Sequence, residues 1–124
     1  MSYRLLIAED DPLLLKSIGF YLQKQGYDVL LVNEGREAIK QIREKEFDLI
    51  ITDLNMPFAS GLEIISLVRN ELKRNTPIIM LTSVGVEATE LEAFRVGVNE
   101  FITKPFSPQV LHVRIEKTLA QLKK

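Results

Sequence analysis

Short apolar runs alternate with amphipathic stretches five times along this chain, and that alternation leaves few folds open. The runs are 4–8, 28–32, 48–52, 77–81 and 99–103. The first, third and fourth are nearly all apolar, the pattern of strands covered on both faces. Helix-length stretches lie near 12–25, 35–45, 61–73, 86–96 and 107–122. Leu14, Ile18, Tyr21, Leu22 and Gln25 keep the helical period, as do Leu111, Ile115, Leu119 and Leu122. Asp11-Pro12 and Ser107-Pro108 are N-cap and first-turn signals. Gly26, Gly61 and Gly97 punctuate element ends, and Pro77 opens the fourth strand where a missing donor is tolerated. A βα unit repeated five times predicts a doubly wound α/β domain, a parallel sheet with helices on both faces.

The length of 124 residues suits one domain with its own core. No linker or low-complexity segment interrupts it, so 1–124 reads as a single domain. The net charge of -1 argues against nucleic-acid binding by this domain. Nor is there a polybasic membrane patch. There is no cysteine, which excludes disulfides, thiol catalysis and thiolate metal sites. No apolar run approaches the ~18 residues of a membrane span, and Met1-Ser2-Tyr3-Arg4 lacks a signal-peptide layout. The expected location is cytoplasmic.

The chemistry collects where the apolar runs end. Leu5-Leu6-Ile7-Ala8 runs into Glu9-Asp10-Asp11, and Leu49-Ile50-Ile51-Thr52 into Asp53. Ile78-Ile79-Met80-Leu81 stops at Thr82-Ser83, and Phe101-Ile102-Thr103 at Lys104-Pro105. In an open parallel sheet these ends share one edge, where ligands bind. That edge would gather acids, a hydroxyl and a lysine, which points to a magnesium and phosphoryl site. Asp11 reads as a helix cap. Glu9 and Asp10 read as holders of Mg²⁺, which takes oxygen ligands from one or two carboxylates plus phosphate. A carboxylate ending a buried strand is costly unless it is used or neutralised. The helix expected near Gly61 is too far on for Asp53 to cap. Asp53 therefore reads as a metal ligand and as a nucleophile that forms an aspartyl phosphate. Lys104, held extended by Pro105, would pair with the carboxylates and neutralise phosphate. Thr82 could bond a phosphoryl oxygen. Phe101 reads from its type as strand core.

Together these segments closely resemble the receiver domain of two-component response regulators. The resemblance rests on Ile7-Ala8-Glu9-Asp10-Asp11, Asp53-Leu54-Asn55-Met56-Pro57 with Gly61, Leu81-Thr82-Ser83, Ala93-Phe94-Arg95-Val96-Gly97, and Phe101-Ile102-Thr103-Lys104-Pro105-Phe106, in order and spacing across the whole chain. It implies a flavodoxin-like sheet of order 2-1-3-4-5. It implies that Asp53 accepts phosphate from a histidine kinase or a phosphotransfer protein. Glu9, Asp10 and Asp53 would hold Mg²⁺ with the backbone carbonyl of Asn55. Lys104 would pair with Asp53 and then its phosphate, Thr82 would draw toward the phosphoryl group, and Phe101 would turn inward as a switch aromatic. The surface of helix 86–96, strand 99–103 and helix 107–122 would change, to control an output domain or a partner. Such a module is not an enzyme beyond its own phosphorylation and dephosphorylation.

Some positions depart from the family's commonest pattern. Ser83 is ordinary, Val98 stands where alanine is frequent, and Glu100 where aspartate is. Asn99 and Val110 replace acids found in many transcription-factor relatives. Those relatives often form homodimers through salt bridges across the last helix and strand, and Glu100 with Arg114 could supply one such pair. Val84 cannot position an attacking water, so slow self-hydrolysis is expected. Two other classes fit less well. Phosphatases with an aspartyl-phosphate intermediate carry a second aspartate where Asn55 stands. A nucleotide- or flavin-binding module wants a glycine- and hydroxyl-rich first loop, whereas Glu9-Asp10-Asp11 would repel phosphate. The chain fits both a stand-alone regulator and a receiver from a longer protein.

Overall fold

The computed structural model describes residues 2–83 and 87–121, with the backbone alone for 87–90. The elements run β1 (Arg4–Ala8), α1 (Pro12–Lys24), β2 (Asp28–Val32), α2 (Gly35–Glu44), β3 (Leu49–Asp53), α3 (Gly61–Ser66), a π-helical turn (Leu67–Glu71), β4 (Ile78–Thr82), α4 (Glu87–Val96), β5 (Glu100–Thr103) and α5 (Pro108–Gln121). All strand pairs are parallel. The order is β2-β1-β3-β4-β5, as the resemblance implies.

The alternation of side chains along a strand divides the core in two. Leu5, Ile7, Leu49, Ile51, Ile79 and Leu81 face α1 and α5, meeting Leu15, Ile18, Leu22, Leu111, Ile115 and Leu119. Leu6, Ala8, Ile50, Ile78 and Met80 face the other way, against Ala38, Ile42, Ile64, Ile65 and Val68 of α2, α3 and the turn after it. Each fully buried Leu or Ile contributes roughly 1.5–3 kcal/mol of hydrophobic free energy. Two such layers fix which strand ends emerge together.

Local signals place the helix starts. Asp11 caps α1, its Oδ1 accepting from Leu13 N at 3.0 Å and Leu14 N at 3.4 Å. Ser60 accepts from Glu63 N, and Ser107 from Val110 N. Most element bounds lie within a residue of expectation, and three differences are instructive. β3 runs on through Asp53, because that residue pairs in register with Leu81 of β4. Pro77 lies just outside β4, and its carbonyl accepts from Ile50 N. The single helix expected over 61–73 changes character at Leu67, where Leu72 N reaches back five residues to Leu67 O. Leu122 and Val84 lie outside the described residues, so the Val84 expectation has no structural counterpart here.

Candidate functional site

The carboxyl ends of β1 and β3, together with the segment after β5, bring Glu9, Asp10, Asp53 and Lys104 to one sheet edge. Glu9 follows β1 directly, its amide donating to Val32 O at 3.1 Å. Its side chain is completely buried. Oε2 accepts from Asp11 N at 3.0 Å. Asp53 closes β3 and is also buried. Lys104 reaches both: Nζ lies 2.7 Å from Glu9 Oε1 and 2.9 Å from Asp53 Oδ2. Oε1 has no partner besides this ammonium. Asp10 is exposed, at the mouth of the cluster.

Electrostatics make this group unbalanced. The Glu9 carboxyl stands at about 7 instead of its ordinary 4.5, with burial the largest cause. Lys104 and the Asp11 amide pull it back, and the Asp53 charge pushes it further up. For Lys104, burial works against the ammonium. The hydrogen bonds and charges of Glu9 and Asp53 outweigh it, so its pKa lies above the usual lysine value. One ammonium thus bridges two carboxyl groups, with that of Asp10 close to both.

Glu9, Asp10 and Asp53 each offer an oxygen, and these oxygens lie within 4.8 Å of one another. All the donors are hard oxygens, and three carboxyl groups share one ammonium. Those residues fit a small divalent cation such as Mg²⁺. The approach is shaped by close packing behind Asp53. A Cβ on Gly61 would sit 2.6 Å from Asp53 O and 2.8 Å from Met80 Sδ, so only glycine lets α3 start there.

The remaining expected residues are placed as follows. Thr82 ends β4, one residue beyond the Leu81 that pairs with Asp53, and is buried. Its carbonyl accepts from Lys104 N at 2.6 Å, which ties the lysine's backbone to the same edge. The Lys104–Pro105 bond is cis. Phe101 pairs in register with Met80 and is half-buried, its ring 5.2 Å from that of Phe94. Asn55 is exposed in the loop that follows Asp53. Asp11 belongs to the helix cap. Arg114 Nη1 and Glu100 Oε1 pair at 2.5 Å within the chain, whereas the sequence had suggested this pair for a contact between copies.

Sequence reasoning missed two features, one beside this edge and one at the opposite edge of the sheet. Phe58, in the loop after Asp53, has φ 73°. Arg69, on the π-helical turn, donates to Gly97 O, Arg74 O and Asn99 Oδ1. Neither an aromatic in a loop nor an arginine late in a helix carries a local signal of such a role.

Fold and site define a doubly wound α/β domain with a carboxylate cluster bridged by a lysine at the topological switch. The response regulator receiver domain model matches residues 5–116. The chain belongs to that family, a family of signalling modules in two-component systems. It is 35% identical to the transcriptional regulatory protein ResD of Bacillus subtilis over 94% of this chain and 48% of ResD. It is 32% identical to the phosphate regulon transcriptional regulatory protein PhoB of Klebsiella pneumoniae, over 98% of this chain and 54% of PhoB. The chain thus spans about half the length of these curated relatives. Among solved structures, the chemotaxis response regulator CheY4 of Vibrio cholerae superposes with a TM-score of 0.88 at 31% identity, covering 94% of this chain and 98% of that one. A CheY-like receiver domain protein from Methanospirillum hungatei gives 0.93 at 25% identity, covering 99% and 98%. No helix among the described residues is long and apolar enough to cross a membrane.

Proposed function

We propose that this chain, as one receiver domain over 1–124, is a phosphoacceptor switch whose acceptor is Asp53. The observation that carries the reading is Lys104 Nζ bridging Glu9 and Asp53 at 2.7 and 2.9 Å beside Asp10, a cluster with charge left over. Glu9, Asp10, Asp53 and the Asn55 carbonyl would hold Mg²⁺, which would supply positive charge to offset the carboxylates and the phosphoryl oxygens.

An Asp53 carboxylate oxygen attacks phosphorus, and the bond from phosphorus to the donor's imidazole nitrogen breaks. The electron pair of that bond leaves with the imidazole. The product is an aspartyl phosphate on Asp53. Lys104, already at Asp53, moves its ion pair onto the phosphoryl oxygens. Thr82 donates its hydroxyl to one of them, and Phe101 follows inward from its place against Phe94. The surface of α4, β5 and α5 then shifts between two packings, biased by this local charge change. The donor is a histidine kinase or a phosphotransfer protein in the cytoplasm. The altered surface serves an output domain, a homodimer or a separate partner.

The test is intact mass after incubation with acetyl phosphate and Mg²⁺, beside Asp53→Asn. A single phosphoryl addition, absent in the variant and absent without Mg²⁺, is expected. No addition under conditions that label another receiver would overturn the reading.

A further inference from the structure

The loop between β3 and α3 contains a backbone conformation that its sequence disfavours. Ala59 N donates to Pro57 O at 2.9 Å across Phe58, whose φ is 73°. That is a γ-turn with positive φ, a rare and strained form, and a bulky residue there is an outlier. Burial does not repay the strain, because Phe58 is 68% exposed. What the ring does contact is Arg36, whose guanidinium carbon stands 4.1 Å from the ring centroid.

The same loop is pressed against the start of α2 at two further points. Gly35 N donates to Pro57 O at 3.3 Å. A Cβ on Gly35 would fall 2.1 Å from Ala59 O, so the loop backbone and the helix backbone are in direct apposition. The loop's inner end is also fixed, by Leu54 N to Leu81 O and Gly61 N to Leu54 O. Asn55 lies between the inner anchor at Leu54 and the outer clamp at Pro57–Ala59.

We infer that Phe58 and Arg36 are positioning residues for the Mg²⁺ site: their stacking holds the strained turn, and the turn holds the loop that presents the Asn55 carbonyl. The inference rests on the metal reading proposed above. Releasing the clamp lets the loop leave its binding-competent arrangement, and apparent affinity falls by the fraction of molecules still competent.

The experiment is calorimetric titration of the full chain with Mg²⁺ alone. Phe58→Ala keeps the strain and removes the ring. Arg36→Ala removes the cation. Each should weaken Mg²⁺ binding about 3-fold, the scale of an exposed cation–π contact. Simple electrostatics runs the other way for Arg36→Ala, because removing a nearby positive charge favours a bound cation. Phe58→Gly should bind like the parent, since glycine adopts this φ freely, and Arg36→Ala should then have no further effect. Arg36→Lys and Phe58→Tyr should retain parental affinity. Unchanged or tighter binding in Arg36→Ala would overturn the clamp. So would a Phe58→Gly as weak as Phe58→Ala, or an Arg36→Ala loss that persists beside Phe58→Gly. Asp10→Asn separates the two readings. If the parent binds Mg²⁺ no better than Asp10→Asn, the metal site itself fails, whatever the clamp variants do.

Discussion

The two edges of the sheet each hold a half-buried cation, and they treat it in opposite ways. At the carboxyl edge Lys104 faces Glu9 and Asp53, with Asp10 nearby. At the amino edge Arg69 faces only neutral acceptors. Gly97 O, Arg74 O and Asn99 Oδ1 lie 3.1, 3.0 and 2.9 Å from its nitrogens. Asn99 Oδ1 also accepts from Ile78 N at 2.8 Å, so the knot closes the start of β4. Carboxylates hold the Lys104 pKa above its usual value. Burial without an opposite charge lowers that of Arg69. One edge is hydrogen-bonded and complete. The other gathers three carboxyl groups around one ammonium, an imbalance that a proton on Glu9 or a bound cation relieves.

That contrast breaks most visibly at Lys104. Lys104→Met should destabilise the protein by about 3 kcal/mol at pH 8 in chelator, because it leaves buried carboxylates unpaired. Urea unfolding measures it, and Mg²⁺ should restore part of the loss. A variant as stable as the parent would show that the carboxylates are not strained by one another.

Next comes Glu9 in the metal-free protein. Its folded-state pKa of about 7 lies above the ordinary 4.5, so the folded state keeps the proton longer. The stabilisation is complete below pH 4.5 and is lost as pH rises through about 7. The difference is about 3 kcal/mol. Unfolding free energies in chelator from pH 4 to 8 should show this slope in the parent and not in Glu9→Gln.

Arg69→Met should cost about 1–3 kcal/mol, the penalty for acceptors left without donors. Here Mg²⁺ should restore nothing beyond its effect on the parent. A magnesium rescue as large as that of Lys104→Met would erase the distinction between the edges.

The smallest effect tests where the acidic cluster stops. Asp11→Ala should lose about 1 kcal/mol of stability with the α1 cap. Its Mg²⁺ affinity should match the parent, since Asp11 spends its side chain on Leu13 N and Leu14 N.

Much of this molecule follows from local rules. The five apolar runs made strands, because short runs covered on both faces have no other stable use. Asp11-Pro12 and Ser107-Pro108 started helices where such pairs do. The strand-end positions of Glu9, Asp53, Thr82 and Lys104 were legible because parallel topology puts all those ends on one edge. Boundaries were less legible. Asp53 joins β3 because Leu81 is opposite it, and a strand's last residue is set by its neighbour. The helical pattern over 61–73 gave no hint of the π-helical turn, which an i→i+5 bond at Leu72 defines.

The sequence alone determined the fold class, the acidic edge and the division of labour between Asp11 as cap and Glu9, Asp10 and Asp53 as cluster. Those rest on periodicity and on residue type at element ends, which are local. Only the tertiary structure decided that Lys104 bridges Glu9 and Asp53, that Arg114 closes on Glu100 within the chain, that Arg69 knots the far edge, and that Arg36 stacks on a strained Phe58. Each of those joins residues far apart in sequence or depends on a backbone angle the residue disfavours. Such contacts arise from packing the two layers together, and no local preference encodes them.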